Sequence, residues 1–440
     1  MPSNTIAGRP TIDDPIDPIY DIQGTNDIDL GTHTVSFWSN GKRTADDVSF
    51  TMAFGATLRL VGKLRNAPFI YLDKNTDIEI PSLLGRFRPV AYGTCIELSP
   101  RSEPVDICYC SVPKMREIVF HLVNFYDFTE GRLDLLVRNN RYRGRFSRIT
   151  LQGGGWDIVV HPLPSTRTSI EDLSTQGGYG VTHIGRIRRR LGGAFSVHQA
   201  RAILEILRLF LSFARGAFTG AVLPLGFDKL RQTQWAQWGA QHIVYPWRYY
   251  GGWFHGKPAS LLEDIFPGFF DLCRNPLWKE RLRETIYLYL RANDTRGAGV
   301  DGGLILAQAT LEKIAWIHCV ESRGLYSAQH FGSRAMPARR KIAALLQDLG
   351  IPLRFPPRLR ALASAARKNG WQDGPEAIVH IRNEVVHAER RYARPPFSEA
   401  WRLAQWYIEL ALLSLAGHSG YYVDRIAAEH TGDISKVPWA

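Results

Sequence analysis

The period of the hydrophobic residues changes near residue 190, and this change constrains the fold more than any other feature of the sequence. Upstream of it, short apolar runs rich in β-branched and aromatic residues alternate with turn-like groups; three such runs are residues 48–54, 69–72 and 156–160. Runs of this kind are typical of antiparallel strands. Downstream, residues 200–216 repeat their apolar positions at helical spacing. The sequence therefore predicts a multi-domain α+β chain, with an N-terminal antiparallel β-sandwich-like domain followed by an all-α region.

The length of the chain, 440 residues, exceeds what one hydrophobic core usually serves, so we expect several domains. We predict a flexible tail at 1–25, an all-β domain at 26–190, a helical, aromatic-rich connecting region at 191–299 and a helical bundle at 300–440. In the bundle, prolines stand where helices should begin and glycines where they should end. These residues are Pro337, Pro357 and Pro375, and Gly350, Gly370 and Gly417. One of the predicted helices spans residues 375–389.

The charge of the chain indicates its class of partner. A formal net charge of +12 favours a polyanion, because positive potential attracts phosphate groups. No apolar run reaches the ~20 residues that a membrane-spanning helix needs, and the N-terminus lacks the pattern of a secretory signal. We therefore expect a cytoplasmic protein without a membrane partner. Cys108 and Cys110 fit one face of a strand better than a zinc site, and we expect no metal and no cofactor.

The pattern Arg-x4-His is a candidate for chemistry on RNA, and the sequence contains it three times, beginning at Arg116, Arg382 and Arg425. The first copy lies in a strand-like run, where residues five apart point to opposite faces of a sheet. The last copy lies close to the C-terminus, where fraying is common. The middle copy lies on a predicted helix, and there Asn383 is four residues before His387 and should share its face. Context therefore selects Arg382, Asn383 and His387.

These three side chains suffice for one reaction without a metal ion. An imidazole can accept the proton of an RNA 2′-hydroxyl, which then attacks the adjacent phosphate, while a guanidinium stabilises the charge of the transition state. DNA lacks the 2′-hydroxyl and would not be cleaved. The alternative is structural: a surface arginine, a capping asparagine and an exposed histidine that the helix dipole favours. The residues alone leave both interpretations open.

The residues around the middle copy resemble the HEPN superfamily and, within it, the ApeA-like HEPN proteins. The hallmark of HEPN domains is Arg-x4–6-His, often with Asn, Asp or His directly after the arginine, and residues 382–387 match it. Residues 307–312, the long helix predicted from Phe397 and the ending 437–439 are similar as well. The resemblance covers residues 300–440, and it extends more loosely, through residues 182–190, to an ApeA-like N-terminal β-domain.

The resemblance implies a HEPN helical bundle and a metal-independent endoribonuclease of antiphage, abortive-infection defence. Its implied partners are an RNA substrate, a phage-derived trigger and a second copy of the chain, since HEPN sites usually form across a dimer. Arg382, Asn383 and His387 would be catalytic, and Glu312 would be an auxiliary residue that polarises the arginine or the histidine. For Glu312, an ion pair between helices is the alternative. Because several HEPN proteins lack activity, the alternative function is a catalytically silent module that binds RNA or protein and signals.

Two basic runs are further candidates for contact with RNA: Arg186, Arg188, Arg189 and Arg190, and Arg339, Arg340 and Lys341. The first run is either the solvated edge of a linker or a patch that follows phosphates. The second lies within the predicted bundle, where it would guide RNA toward the motif, with plain solvated surface as the alternative. The aromatic residues between 228 and 258 favour a buried seam between domains over a platform for stacked bases.

Overall fold

The computed structural model describes residues 16–39, 42–55, 57–65, 77–79, 90–92, 95–98, 105–128, 132–138, 141–239, 246–387, 395–430 and 432–440. The chain divides into two compact units. The first consists of Met1–Glu205 and Thr219–Arg248, and the second of Ile206–Phe218 and Tyr249–Ala440. The composition is mixed α+β, with antiparallel sheets toward the N-terminus and helices toward the C-terminus.

The smaller sheet of the first unit has six strands. They are β1 (Ile28–Ser39), β2 (Lys42–Phe54), β3 (Leu58–Leu64), β4 (Asp77–Glu79), β5 (Val90–Tyr92) and β6 (Cys95–Leu98). Their order is β4-β1-β2-β3-β6-β5, and each neighbouring pair is antiparallel. The predicted strand at residues 48–54 is confirmed within β2, whereas the one at 69–72 lies outside the described residues.

The larger sheet has eight strands. They are β7 (Val105–Cys108), β8 (Glu117–Val123), β9 (Arg132–Arg138), β10 (Arg141–Gly153), β11 (Trp156–Pro162), β12 (Val181–Arg189), β13 (Ala221–Phe227) and β14 (Thr233–Trp238). Their order is β7-β14-β13-β8-β12-β11-β10-β9, with every pair antiparallel. The predicted strand at residues 156–160 is confirmed within β11.

Two features of the larger sheet correct the predicted boundary at residue 190. Helix α1 (Thr166–Gln176) interrupts the strands between β11 and β12, so residues 26–190 are not all β. Strands β13 and β14 come from the segment predicted to be helical, after the long helix α2 (Val197–Arg215). They join the sheet because β13 pairs with β8, a partner about a hundred residues earlier that local periodicity does not reveal.

One hydrophobic core in the first unit draws buried side chains from both sheets. Val35 and Phe50 come from the smaller sheet, and Val119 and Ile184 come from the larger one. Ile16 is buried in the same core, and residues 19, 20 and 22 pack against it. The predicted flexible tail therefore does not extend to residue 25, because Ile16 is buried and the apolar residues that follow it are partly buried against the core; residues 1–15 lie outside the described residues.

The second unit is helical beyond residue 260. Its helices are α3 (Ser260–Arg274), α4 (Lys279–Asn293), α5 (Thr295–Trp316), α6 (Ala328–Gly332), α7 (Ala338–Asp348), α8 (Arg360–Asn369), α9 (Gly374–Val386) and α10 (Phe397–Leu415). A π-helical turn follows α5 at Ile317–Ser322. Two short antiparallel strands, β15 (Tyr421–Tyr422) and β16 (Ser435–Lys436), follow α10. Helix α5 is central and packs against α4, α7, α9 and α10. Within the described ranges, no helix is both long enough and apolar enough to span a membrane.

Candidate active site

Helix α9 carries the candidate site, and its N-terminus is fixed by a capping arrangement. The Asp373 side chain accepts a hydrogen bond from the backbone N–H of Glu376 at 2.8 Å, and the Glu376 carboxylate accepts one from the backbone N–H of Gln372 at 2.8 Å. Pro375 occupies the first turn, where its missing N–H costs nothing. A Cβ atom on Gly374 would lie 2.3 Å from the Tyr407 hydroxyl, so this glycine lets α9 approach α10 closely. The start of α9 is thereby set within the bundle.

The two faces of α9 differ in polarity. Ala377, Ile378 and Ile381 are buried. At about 100° per residue, Asn383 lies opposite this buried stripe and shares its face with Glu376 and His380. The polar side chains of the helix therefore lie opposite its buried apolar stripe.

Arg382 lies between these two faces and is half-buried. Its Nη1 donates to the Asn383 Oδ1 at 3.3 Å. Its Nε is buried, and within the described part of the chain it has no hydrogen-bond partner. Buried donors are nearly always satisfied, so this N–H is suited to an acceptor supplied from outside the unit. A phosphate oxygen has the charge and the geometry that a guanidinium prefers.

His387 lies just past the end of the helix, which corrects the predicted helix at 375–389. Helix α9 ends at Val386, and His387 is extended, with φ −103° and ψ 141°. Its backbone N–H still donates to the Asn383 carbonyl oxygen at 3.0 Å, and its side chain is exposed. Val385 and Val386 are both β-branched and lower the helix propensity at this point. His387 is therefore the cap residue at the C-terminal end of α9, one turn beyond Asn383, and not a residue inside a longer helix.

A cluster at the N-terminal half of the polar face was not anticipated from the sequence. Arg339 of α7 forms an ion pair with Glu376, and the His380 Nε2 lies 3.9 Å from the Glu376 Oε1. The His380 ring stacks on Trp371, with centroids 5.5 Å apart and planes 5° apart. The signal available in the sequence was the spacing of Glu376, His380 and Asn383, which places all three on one helix face.

The remaining candidates from the bundle have local partners. Glu312 on α5 accepts a hydrogen bond from the Gln308 Nε2 at 2.9 Å, within its own helix. The Arg340 Nη1 donates to the Ala335 carbonyl oxygen at 3.3 Å, and the Lys341 ammonium lies 5.7 Å from the centre of the Phe331 ring. Glu312 stays a candidate through its position, because α5 packs against α9. The contacts of Arg340 and Lys341 are local ones.

The run of arginines from 186 to 190 is neither a linker edge nor an open patch. Arg186, Arg188 and Arg189 lie at the end of β12, between β8 and β11, and Arg186 is buried, whereas Arg190 follows the strand and is exposed. Arg188 forms an ion pair with Glu117, and the Arg190 Nε lies 3.1 Å from the Asp157 Oδ1. The Arg189 guanidinium lies 3.7 Å from the centre of the Trp156 ring. Both predicted roles required exposed residues, and placement in a central strand directs the charges to partners in the chain.

The other two copies of Arg-x4-His have structural surroundings. In the first, His121 is buried in β8, and burial lowers its pKa to about 4. In the last, the Arg425 guanidinium is buried and forms an ion pair with the buried Glu409 carboxylate. His430, the partner of Arg425 in the pattern, is exposed. The middle copy thus combines a guanidinium that has a spare donor with an exposed imidazole.

The chemistry open to the middle copy is acid–base and electrostatic. His387 can exchange a proton with a ligand at the surface, and Arg382 can donate to an anion while Asn383 holds its Nη1. Among the residues that the structure describes, no group of three or more His, Cys, Asp and Glu side chains is arranged to hold a metal ion.

Known proteins match the chain over its central and C-terminal parts. Residues 111–250 match the family described as the YopA central domain, and residues 275–436 match the YopA C-terminal domain. No solved structure matches. A relative from Bacillus subtilis (strain 168), the SPbeta prophage-derived uncharacterized protein YopA, is 25% identical over 334 residues, which are 74% of this chain and 72% of that protein. Neither family description names HEPN or ApeA, so that resemblance stays a prediction, and the similarity found is to the YopA central and C-terminal domains.

Proposed function

We propose that the chain is a metal-independent endoribonuclease whose site consists of Arg382, Asn383 and His387. The observation that carries the proposal is the half-buried Arg382, whose buried Nε lacks a partner in the described residues and whose Nη1 is held by Asn383. His387 follows at the exposed end of the same helix. A fixed cation and a solvent-accessible imidazole on one helix end suit RNA cleavage by internal transfer.

The proposed reaction uses each side chain in one role. The His387 imidazole accepts the proton of the 2′-hydroxyl, and the 2′-oxygen forms a bond to the adjacent phosphorus. Arg382 donates to the phosphate oxygens, where charge accumulates in the transition state. The bond from phosphorus to the 5′-oxygen breaks, and that oxygen takes up a proton from the medium or from an imidazolium. The products are a 2′,3′-cyclic phosphate and a 5′-hydroxyl end, and Asn383 keeps the guanidinium in place throughout.

The architecture of the second unit is compatible with a HEPN bundle. Helices α5, α7, α9 and α10 pack around one another, and the polar face of the motif helix lies opposite its buried stripe. We propose that this face is completed by a second copy of the chain, so that two Arg-His sets form one cleft. In the first unit, we propose that the two sheets form a β-sandwich, because one core receives side chains from both.

The proposed biological setting is antiphage defence in the cytoplasm, with a phage-derived component as the trigger. The relative in Bacillus subtilis is described as prophage-derived, and prophages often carry genes that act against other phages, which supports this setting. The +12 net charge supports RNA as the substrate, because it favours association with polyanions.

Single substitutions test the proposal. We expect His387→Ala and Arg382→Ala each to lower the RNA cleavage rate at least 100-fold, since general base catalysis and charge stabilisation each contribute about 10²–10⁴. The matched controls are His430→Ala and Arg367→Ala, which remove an exposed histidine and an exposed arginine elsewhere in the helical unit, and these should retain cleavage. Cleavage that survives His387→Ala would instead leave the silent RNA- or protein-binding module as the function of the domain.

A further inference from the structure

Three loops meet at one end of the larger sheet, and we call them together the loop-end surface: residues 109–116, 190–196 and 228–232. Residues 109–116 precede β8, residues 190–196 follow β12, and residues 228–232 connect β13 to β14. These strands are neighbours in the order β14-β13-β8-β12. At about 4.8 Å between strands, these four strands span roughly 15 Å. The loops also bond to one another, since the backbones of Met115 and Phe195 exchange two hydrogen bonds of 3.0 and 2.8 Å.

Glu117 links neighbouring strands at this end of the sheet through ion pairs. Its carboxylate is buried at the start of β8 and forms ion pairs with Arg188 at the end of β12 and with Arg231 in the β13–β14 turn. Asp228 closes the same turn by accepting hydrogen bonds from the backbone N–H groups of Leu230 and Gln232, at 2.8 and 3.0 Å. The loop-end surface is therefore a defined part of the fold.

Each loop of this surface exposes one large aliphatic side chain. The exposed fraction is 98% for Leu191, 70% for Val112 and 67% for Leu230. Single exposed apolar residues are ordinary, but here three stand on loops at the same end of one sheet. Tyr109, at the edge of the same group, is also exposed.

The charge around these side chains is basic. The three loops contain five basic residues, Lys114, Arg116, Arg190, Lys229 and Arg231, and one acidic residue, Asp228. The Asp228 carboxylate is occupied by the turn, and its second oxygen accepts from the Gln234 Nε2 at 3.2 Å. Lys114 and Lys229 are exposed beside Val112 and Leu230. Arg190 and Arg231 pair with Asp157 and Glu117, so the excess of positive charge on this surface comes from the exposed Lys114, Arg116 and Lys229.

We propose that the loop-end surface docks onto a bilayer surface rich in anionic phospholipid. An anionic headgroup layer above an apolar layer complements basic residues that surround protruding aliphatic ones. Single-stranded RNA would favour stacked aromatic rings over leucine and valine. The expectation that the chain has no membrane partner rested on the lack of a spanning segment, and contact with a membrane surface needs none.

The test is flotation of the full chain with vesicles of phosphatidylglycerol and phosphatidylcholine in equal parts, or of phosphatidylcholine alone. We expect association with the anionic vesicles that salt weakens, and little with the neutral ones. The variant Leu191→Ser with Leu230→Ser should lower the partition coefficient at least tenfold, which corresponds to about 1.4 kcal/mol. Leu325→Ser, which alters an exposed leucine of the second unit, is the matched control and should bind as the wild type does.

Several outcomes overturn the proposal. They are no binding to anionic vesicles, equal binding to neutral ones, or unchanged binding of the double serine variant. A fourth is binding of a single-stranded RNA that Lys114→Glu with Lys229→Glu weakens and the serine changes do not, which would assign the surface to nucleic acid. The proposal does not depend on the ribonuclease, because the double serine variant should unfold at the wild-type midpoint and keep wild-type cleavage.

Discussion

Two arginines that begin the same sequence pattern have different surroundings. The Arg425 guanidinium is buried, pairs with Glu409, and donates to the Asn293 Oδ1 at 3.2 Å and to the Gly251 carbonyl oxygen at 2.9 Å. Burial raises the pKa of the Glu409 carboxyl, and the charge of Arg425 opposes that shift. Arg382, by contrast, keeps a buried donor without a partner in the described residues. The first arginine holds the fold, and the second is available to a ligand.

Removal of Arg425 tests this difference at the level of one residue. Arg425→Ala leaves the buried Glu409 carboxylate without its cation, so we expect the free energy of unfolding to fall by about 3–5 kcal/mol. Urea denaturation measures the change. Arg358→Ala is the control, because its pair with Glu429 is exposed and contributes about 0–1 kcal/mol. Equal effects of the two substitutions would contradict a structural role for Arg425.

The sequence singled out Arg382, Asn383 and His387 as candidates, but not the contacts that surround them in the structure. Arg382 and Asn383 were identified by pattern and resemblance, and their mutual contact follows from adjacency. The departure of His387 from the helix was not predictable, because the helix end depends on a balance of propensity and packing near Val385 and Val386. The spacing of Glu376 and His380 was visible in the sequence, whereas the contact of Arg339 with Glu376 joins two helices and no local pattern predicts it.

At the scale of elements, three strands of the larger sheet each bury one histidine. Burial lowers the pKa of His121 on β8 to about 4, of His161 on β11 to about 4 and of His183 on β12 to about 3. For His161 the charges of Arg186 and Arg148 add to the effect of burial. These imidazoles stay neutral in the folded chain at a pH where the unfolded chain is already protonated.

The stability of the sheet should therefore depend on pH in a defined window. The unfolded state takes up protons as the pH falls below about 6.5, whereas the folded state does so only near pH 4. Between these values the free energy of unfolding should decrease with falling pH, by up to about 1.4 kcal/mol per pH unit for each imidazole. Urea denaturation at a series of pH values measures the slope.

Substitution of His121 measures how much this residue contributes to the pH dependence of the free energy of unfolding. Neither ring nitrogen of His121 has a hydrogen-bond partner in the described residues, so His121→Leu removes the titration without breaking a bond. The slope should become shallower in that variant and stay unchanged in His430→Leu, where the imidazole is exposed. Identical slopes in all three proteins would show that His121 does not control the pH dependence.

The cap of α9 gives a second prediction for an element. Asp373→Ala removes the acceptor for the Glu376 N–H, so we expect the free energy of unfolding to fall by about 0.5–2 kcal/mol. Asp373→Asn is the matched control, because asparagine caps a helix as well as aspartate does. Thermal or urea unfolding distinguishes the two, and an asparagine variant as unstable as the alanine variant would mean that the charge matters more than the cap.

The sequence predicted the ends of helices correctly where a glycine or a proline fixes them. Gly370 ends α8 in the left-handed conformation, with φ 72°, and Pro375 lies in the first turn of α9, as predicted. The places of β13 and β14 in the larger sheet were not predicted, because the pairing of Val222 with His121 spans about a hundred residues. Periodicity reports on neighbours in sequence, and strand order depends on partners far from one another.

At the scale of the whole molecule, the polar face of α9 needs a partner for the proposed site to be complete. Val386 at the end of this helix is exposed, and Arg382 and His387 flank it. If two chains form one cleft, each can supply the group that the other lacks. Arg382→Ala and His387→Ala, each inactive alone, should together recover a measurable part of the wild-type cleavage rate when mixed and allowed to exchange subunits.

Two results would contradict a cleft shared by two chains. No recovery in a mixture shown by sedimentation to contain dimers would mean that each chain uses its own Arg382 and His387. A preparation that sediments as a monomer and is fully active would remove the shared cleft altogether. The cleavage rate of each variant measured alone provides the baseline.

We propose that His387 and Arg382 cleave RNA through the 2′-hydroxyl. The most direct measurement uses an RNA oligonucleotide and a matched one with a single 2′-deoxy substitution at the cleaved position, both in the presence of a chelator. We expect the RNA to be cut to a 2′,3′-cyclic phosphate and a 5′-hydroxyl end, and the substituted oligonucleotide to stay intact at that position. Cleavage of the deoxy-substituted position, or loss of all cleavage on chelation, would contradict it.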